Sequence, residues 1–379
     1  MMNGKESKRE SDIYIVNYDI LAKHPWLVAR EWDIVICDEV HYAKNPKAAR
    51  TKACLAILKK AKRRIAMTGT PIMNRPVELQ TILAALGCDF AQNWFSYVTR
   101  YCAGSRTKWG WDVSGASNLD ELQAKLRSTV MIRRLKKDVL TELPAKTRQI
   151  IEIPQNGFSS VLKNEDKIMK SYQEKKKELA ALKKQAKEQK DEASFAAKID
   201  ALKASMQIAF SEIAIVRHET ALAKVGFTID YINDMLESEN KIILFCHHQD
   251  VLDAIYQAFP NIAVKFTGSM SAEDKQKSVD RFQNDPDCKI FIGSTMAAGV
   301  GITLTAARLV IFHELALTPG AMSQAEDRAH RIGQKGNVLV QHLVINGSID
   351  STLAKMLKSK QEIIEKALDK SSENEEIEL

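Results

Sequence analysis

Ile34-Val35-Ile36-Cys37-Asp38-Glu39-Val40-His41 is four apolar residues running straight into two carboxylates and, one residue on, a histidine. A run that is apolar at every position predicts a strand covered on both faces, as in parallel sheets, rather than the alternating strand of a half-exposed one. Ile65-Ala66-Met67 ends the same way, in Thr68-Gly69-Thr70-Pro71. Ligands of open α/β sheets bind beyond the carboxyl ends of strands, and both polar stretches fall there.

A second strand-and-helix region starts near Lys241 with Ile242-Ile243-Leu244-Phe245-Cys246. Further strands are expected at Val264 to Phe266, Lys289 to Ile292, Leu309 to Phe312 and Val338 to Val344, with helices between them. Ser271, three residues before Asp274, and Ser348, just before Ile349-Asp350, read as helix starts. From Glu165 to Ser211 the composition turns to Lys, Glu, Ala, Gln and Leu; Leu179, Leu182 and Ala186, then Ile199, Leu202 and Met206, recur at helical spacing. The expected organisation is a first region at 1–154, a helical protrusion and linker at 155–225, a second region at 226–368 and a disordered acidic tail at 369–379.

The chain has 379 residues, of which 45% are hydrophobic, enough for two or three domains with real cores. Cys37, Cys54, Cys88, Cys102, Cys246 and Cys288 include no C-x-x-C pair, which argues against a zinc module and a disulfide framework. No uncharged apolar run spans a bilayer and Met1 to Asp12 is too polar for a secretory signal, so the protein is expected to be soluble and intracellular, with no membrane partner. The net charge of +7 suits a polyanion. The basic clusters around Lys59 to Arg64 and Arg133 to Lys137 read equally well as solvated helix faces.

Asp38-Glu39-Val40-His41 gains meaning from the strand before it. One carboxylate there can hold magnesium, the next can orient or deprotonate a water, and the histidine can couple the site to a facing lobe; ordinary strand-end polarity is the alternative. Thr68-Gly69-Thr70-Pro71 by itself is a turn. Ser294 to Thr305 follows another apolar strand and brings Gly299 and Gly301 to a helix start, where backbone amides can approach phosphates. In Gln324 to Gln334, Q-A-E-D-R-A-H-R-I-G-Q, Arg328 and Arg331 are one helical turn apart. Guanidiniums so spaced suit a phosphate gaining charge; the alternative is a surface helix whose arginines pair with Glu326 and Asp327. These four stretches occur in order across two sheets, and together they imply an α/β fold of two RecA-like lobes with a helical insertion between them.

The chain resembles the SWI/SNF-like family of ATP-dependent DNA translocases over Ile13 to about Lys360. The stretch from Trp109-Gly110-Trp111-Asp112 through Ser117-Asn118-Leu119, Met131 to Leu140 and Leu143-Pro144-Ala145-Lys146 is most similar to its annealing-helicase branch. That resemblance implies ATP and magnesium as cofactors and duplex or branched DNA as partner. Carried over by position, it gives Asp38 the magnesium, Glu39 the catalytic water and His41 interlobe coupling. Thr68 and Thr70 would couple hydrolysis to DNA movement, Arg328 and Arg331 would be arginine fingers, and Gln324 would lie near the nucleotide. DNA-phosphate contacts would fall to Thr267, Gly268, Ser269, Ser294 and Thr295, and in second place to Asn74 and Arg75. Val40 and Leu317 depart from the family at positions where packing, more than chemistry, is affected.

No G-x-x-x-x-G-K-[ST] occurs in the sequence. The resemblance places the phosphate loop before the segment Ile13 to Asp19, so the first lobe is expected to be incomplete, with that loop either carried by an upstream polypeptide or lost. The expected function is a DNA-dependent ATPase that translocates on duplex DNA and, as this chain alone, hydrolyses ATP at background rate. A non-catalytic DNA- or partner-binding remnant is the second reading. An RNA helicase is conceivable on the same lobes, and a basic helical structural protein fails on both sheets.

Overall fold

The computed structural model describes residues 10–107, 110–188, 192–298 and 301–369, which divide into two compact units. The first holds residues 10–135, 318–320 and 357–369; the second holds 136–317 and 321–356. The glycine Gly299, the ring of Trp109 and the tail beyond Asp369, all singled out above, lie outside the described residues.

In the first unit α1 (Tyr18–Leu21) and α2 (Pro25–Ala29) lead into β1 (Ile34–Cys37). A short 3-10 turn, Val40–Ala43, and the crossover helix α3 (Ala49–Lys60) follow, and β2 (Arg63–Ala66) returns parallel to β1 with Ile34 opposite Arg63 and Cys37 opposite Ala66. Next come α4 (Val77–Leu86), α5 (Asp89–Gln92) and α6 (Trp94–Tyr101). Gly87 ends α4 at φ 91°, a left-handed cap that costs glycine nothing, and the Asn93 side chain starts α6 by accepting from the amide of Ser96. A hairpin of β3 (Ser105–Thr107) and β4 (Gly110–Asp112) precedes α7 (Leu119–Thr129). Tyr97, Leu122 and Leu126 centre one core of this unit; Cys37, Leu58 and Ile82 centre the other.

The strands of this unit do not have two covered faces. Val35, Cys37 and Ala66 pack inward, whereas Ile34 and Ile36 are 50% and 59% exposed and Ile65 and Met67 are 45% exposed each. An unbroken apolar run reports hydrophobicity at every position, but α3 and α4 supply a layer on one side only among the described residues.

The second unit opens with α8 (Lys136–Val139), β5 (Lys146–Ile153) and two long helices, α9 (Ser159–Glu188) and α10 (Glu192–Ala223). Strands and helices then alternate: α11 (Val225–Leu236), β6 (Ile242–Cys246), α12 (Gln249–Ala258), β7 (Ala263–Phe266), α13 (Ala272–Asn284), β8 (Ile290–Ser294) and α14 (Thr295–Ala298). The series closes with β9 (Leu309–Phe312), α15 (Pro319–Glu326), β10 (Val338–Ile345) and α16 (Ile349–Leu368), whose later turns count with the first unit. The six strands stand in the order β5-β10-β9-β6-β8-β7, every neighbouring pair parallel. Here both faces are covered, and β6 is buried at all five positions.

Where the sequence reading groups residues up to 154 with the first region, β5 pairs along its whole length with β10, from Lys146 opposite Val338 to Ile153 opposite Ile345. Its polar first half, K-T-R-Q, with exposure alternating along it, suits the sheet edge it occupies. Helices α9 and α10 pack side by side, Asn164 against Glu219, and bury Ala186 and Ile199 of the expected stripe. Ser271 caps α13 by accepting from the amide of Asp274, as expected. The start of α16 is served differently: the amide of Ile349 donates to Glu165, 2.7 Å away, and the hydroxyl of Ser348 takes no part. Lys224, wholly buried, donates to the carbonyls of His313 and Leu343 and to Asp350 at 2.7, 3.0 and 2.8 Å, tying the junction of α10 and α11 to the end of β9, to β10 and to α16. Among the described residues no helix is long and apolar enough to cross a membrane.

Candidate functional site

In the first unit, parallel pairing brings the ends of β1 and β2 together, and with them the two polar stretches that follow. The amide of Met67 donates to Cys37 and the amide of Val40 to Met67, so the ladder continues past both strands. His41 Nδ1 then lies 2.9 Å from Thr68 Oγ1 and 3.1 Å from Glu39 Oε2, and the Thr68 hydroxyl lies 3.3 Å from Glu39. Thr70 joins through its amide, which donates to Thr68 Oγ1 at 3.1 Å. Burial lowers the His41 pKa, so the neutral ring is the favoured form and can act as donor or acceptor within this set.

Glu39 adopts φ 46°, ψ 49°, a left-handed conformation that a glutamate occupies at a cost of roughly 1–2 kcal/mol. The turn is held by Asp38, whose carboxylate accepts from the amide of Glu39 and whose carbonyl accepts from Tyr18. Asp38 itself is exposed. Among the described residues no three His, Cys, Asp or Glu side chains converge on a metal position. One exposed carboxylate at a strand end nevertheless fits magnesium, which commonly takes one or two protein carboxylates and draws its other ligands from phosphate and water. Asn74 and Arg75 lie on the loop before α4; Glu78 fixes that loop by accepting from the amides of Met73 and Asn74, and Arg75 is exposed.

In the second unit the residues expected from the resemblance to contact DNA lie at the carboxyl ends of adjacent strands. Thr267, Gly268 and Ser269 follow β7, and Ser294 ends its neighbour β8, with Thr295 opening α14 just beyond. Gly268 and Ser269 are exposed, whereas Thr295 is buried and its hydroxyl donates to the carbonyl of Cys246. Thr295 thus holds β6 to β8, leaving Gly268, Ser269 and Ser294 as the more accessible members.

Sequence reasoning missed His247 and His248 in the same row. They follow the apolar run of β6 as Asp38 and Glu39 follow β1, and that placement was the available signal. Glu314, 2% exposed, accepts from the amides of both histidines at 2.7 and 3.0 Å and pairs with His248 Nδ1 at 2.5 Å. Burial pushes its pKa up, but the amides and facing imidazoles outweigh burial and hold it below the usual carboxylate range. The ring of His248 stacks on His218 at 4.2 Å, and His218 bonds to Asp250.

Arg328 and Arg331 do not share a helix as expected. Helix α15 ends at Glu326, and both arginines stand in the turns beyond it. The segment is held against the loop after Gly301, itself left-handed at φ 45°. Arg331 donates to the carbonyl of Ile302, the amide of Leu304 donates to Arg328, and the Gln334 amide group reaches the carbonyls of Thr305, Ala307 and Ala329. Arg328 Nε donates to the carbonyl of Gln324, and Arg331 reaches the residue after Gly301, so the structure draws Gln324, Arg328 and Arg331 into one segment beside that loop.

Their acidic neighbours pair elsewhere. Glu326, 1% exposed, receives Lys146 Nζ at 2.8 Å and the Arg148 fork at 3.0 and 2.7 Å. Asp327 lies 2.9 Å from Lys136 and 3.3 Å from Lys146. Burial raises the Glu326 pKa, yet Lys146 and Arg148 overcome it and hold the carboxyl at about 2.

Residues 1–209 match the family described as the SNF2-related domain, and residues 223–333 the helicase conserved C-terminal domain. The SWI/SNF-related matrix-associated actin-dependent regulator of chromatin subfamily A-like protein 1 of Xenopus tropicalis is 36% identical over 371 residues, covering 97% of this chain and 37% of that protein. The DNA annealing helicase and endonuclease ZRANB3 of Homo sapiens is 37% identical over 342 residues, 88% of this chain and 29% of that protein. The chain thus spans 37% or less of the length of these two relatives. The Sulfolobus solfataricus SWI2/SNF2 ATPase core in complex with dsDNA aligns with 94% of this chain and 76% of its own at 23% identity and a TM-score of 0.38.

Proposed function

The chain belongs to the SNF2-related family, and on that footing we propose that it carries the hydrolytic and DNA-tracking residues of a DNA-dependent ATPase that moves along duplex DNA. The observation that carries this reading is the closed set of Glu39, His41 and Thr68, which joins two stretches far apart in sequence within 3.3 Å at the ends of β1 and β2.

In this reading Asp38 holds magnesium, whose charge would offset that of the phosphates. Glu39 orients a water and takes its proton at the carboxylate, while His41 and Thr68 keep that carboxylate aimed. Arg328 and Arg331 offer guanidiniums to a phosphate as its negative charge grows, a role worth about 10³ to 10⁵ in rate in phosphoryl-transfer enzymes. Gly268, Ser269, Ser294, Asn74 and Arg75 contact DNA phosphates, which gives affinity and orientation without base readout. The name of the human relative, a DNA annealing helicase, supports duplex or branched DNA over RNA.

The phosphate loop is proposed to come from another polypeptide segment. The test is ATP hydrolysis with and without duplex DNA, by the chain alone and joined to a phosphate-loop segment from a relative, each with Glu39 and with Glu39→Gln. DNA-stimulated hydrolysis by the joined form, lost in E39Q, is expected. Hydrolysis that ignores both DNA and E39Q in every form overturns the reading. Binding to duplex in the absence of nucleotide is expected to weaken steeply with salt.

A further inference from the structure

The acids flanking the two arginines pose an electrostatic problem. Glu326 is two residues before Arg328, and Asp327 is four before Arg331, a spacing at which opposite charges pair readily when the backbone is helical. An arginine neutralised by its own neighbour is a poorer ligand for phosphate, because the same donors cannot serve both.

Three cations from one short stretch remove those acids. Lys146 and Arg148 on β5 converge on Glu326, and Arg148 does so through a two-pronged contact that fixes the direction of the carboxylate as well as its charge. Lys136 pairs with Asp327 and also donates to the carbonyl of His330 at 2.8 Å, the residue just before Arg331. The His330 ring bonds to the carbonyl of Pro144 at 2.8 Å, in the loop that leads into β5. Contacts from this stretch therefore fall on both sides of Arg328 and immediately before Arg331, at 326, 327 and 330. None of the three cations was singled out above for a role at the arginines.

We propose that Lys136, Lys146 and Arg148 are positioning residues for the arginine segment: they keep Glu326 and Asp327 off Arg328 and Arg331 and set where the chain turns as it leaves α15. This rests on the reading of Arg328 and Arg331 as phosphate ligands. A merely structural cluster would hold β5 to α15 and change stability alone when weakened. A positioning cluster changes the state of two particular guanidiniums in a chain that is still folded.

The experiment is nitrogen-15 NMR of the arginine Nε–H groups in the full 379-residue chain, with Arg328 and Arg331 assigned by R328K and R331K. In Lys136→Met and Arg148→Met, the Arg331 signal is expected to shift and its Nε–H to exchange with solvent about tenfold more slowly, as when the guanidinium gains one modest charge-assisted hydrogen bond from a freed acid. K136R and R148K, which keep the charge, are expected to restore most of it. Should R148M fail to fold, K136M decides, since Lys136 is partly exposed and its loss strands no buried acid. Unchanged Arg328 and Arg331 signals in a folded K136M overturn the proposal. Magnesium-ATP added to the joined form separates the two ideas: an Arg331 signal that moves in the variants but never with nucleotide keeps the positioning role and sinks the phosphate role.

Discussion

Two strands of similar sequence, Ile34-Val35-Ile36-Cys37 in the first unit and Ile242-Ile243-Leu244-Phe245-Cys246 in the second, have different surroundings. β6 is buried at every residue inside a six-stranded sheet with helices on both faces. Among the described residues β1 pairs with β2 alone and turns Ile34 and Ile36 outward. Both strands nonetheless end in a polar turn held by side chains: Asp38, His41 and Thr68 after β1, and Glu314 with His248 after β6. The chemistry at a strand end therefore needs the direction of the strand and one partner strand, whereas the rigidity of the sheet needs both layers.

The sharpest way to break this comparison is to truncate one side chain in each strand. Phe245→Ala is expected to cost about 3–5 kcal/mol in urea unfolding, the range for a fully buried aromatic, against roughly 0.5 kcal/mol or less for Ile36→Ala. Equal costs would mean that the two sheets are equally covered in solution.

Acid should discriminate next. Burial, followed by the nearby Lys224 charge for His313, holds His313 and His342 at about 4, below the 6.5 of an exposed ring. The unfolded chain takes up these protons first as pH falls, so the stability they contribute is complete above about 6.5 and is lost on the way down to about 4. Glu326 follows: its carboxyl, at about 2 against 4.5 when unfolded, contributes stability that is complete above 4.5 and disappears toward pH 2, up to about 3 kcal/mol. Thermal melts from pH 7 to pH 3 should show two successive losses, the second made smaller in Glu326→Gln. A single loss confined below pH 4.5 would contradict the histidine part.

A smaller effect is expected at the polar turn of the first unit. Thr68→Val removes a hydroxyl shared by Glu39, His41 and the amide of Thr70, and should cost about 1 kcal/mol of stability. A larger cost would show that the turn holds the sheet together as well as aiming Glu39. Smallest is the cap of α13, where Ser271→Ala should cost roughly 0.5–1 kcal/mol by the same unfolding assay.

Much of the candidate site was legible because it is local. Asp38 and Glu39 announce themselves by following an apolar run, and Ser271 by standing three residues before Asp274. What was not legible depends on distant segments. Nothing around Lys136, Lys146 or Arg148 says that their partners are Glu326 and Asp327, almost two hundred residues on. Ser348 has the right identity for a cap, but a carboxylate from α9 reaches the first amide of α16 instead.

By itself, the sequence determined the kind of each sheet, the sites where its strands end in polar groups and the family to which the chain belongs. Those follow from side-chain period and from residue order, which need no tertiary contact to be read. The tertiary structure alone decided that β1 has one face bare among the described residues, that β5 joins the second sheet, and that Arg328 and Arg331 leave the helix with their acidic neighbours already paired. Burial, strand neighbours and ion pairs are set by which distant segments meet, and a one-dimensional pattern carries hydrophobicity and charge without saying what will cover or neutralise them.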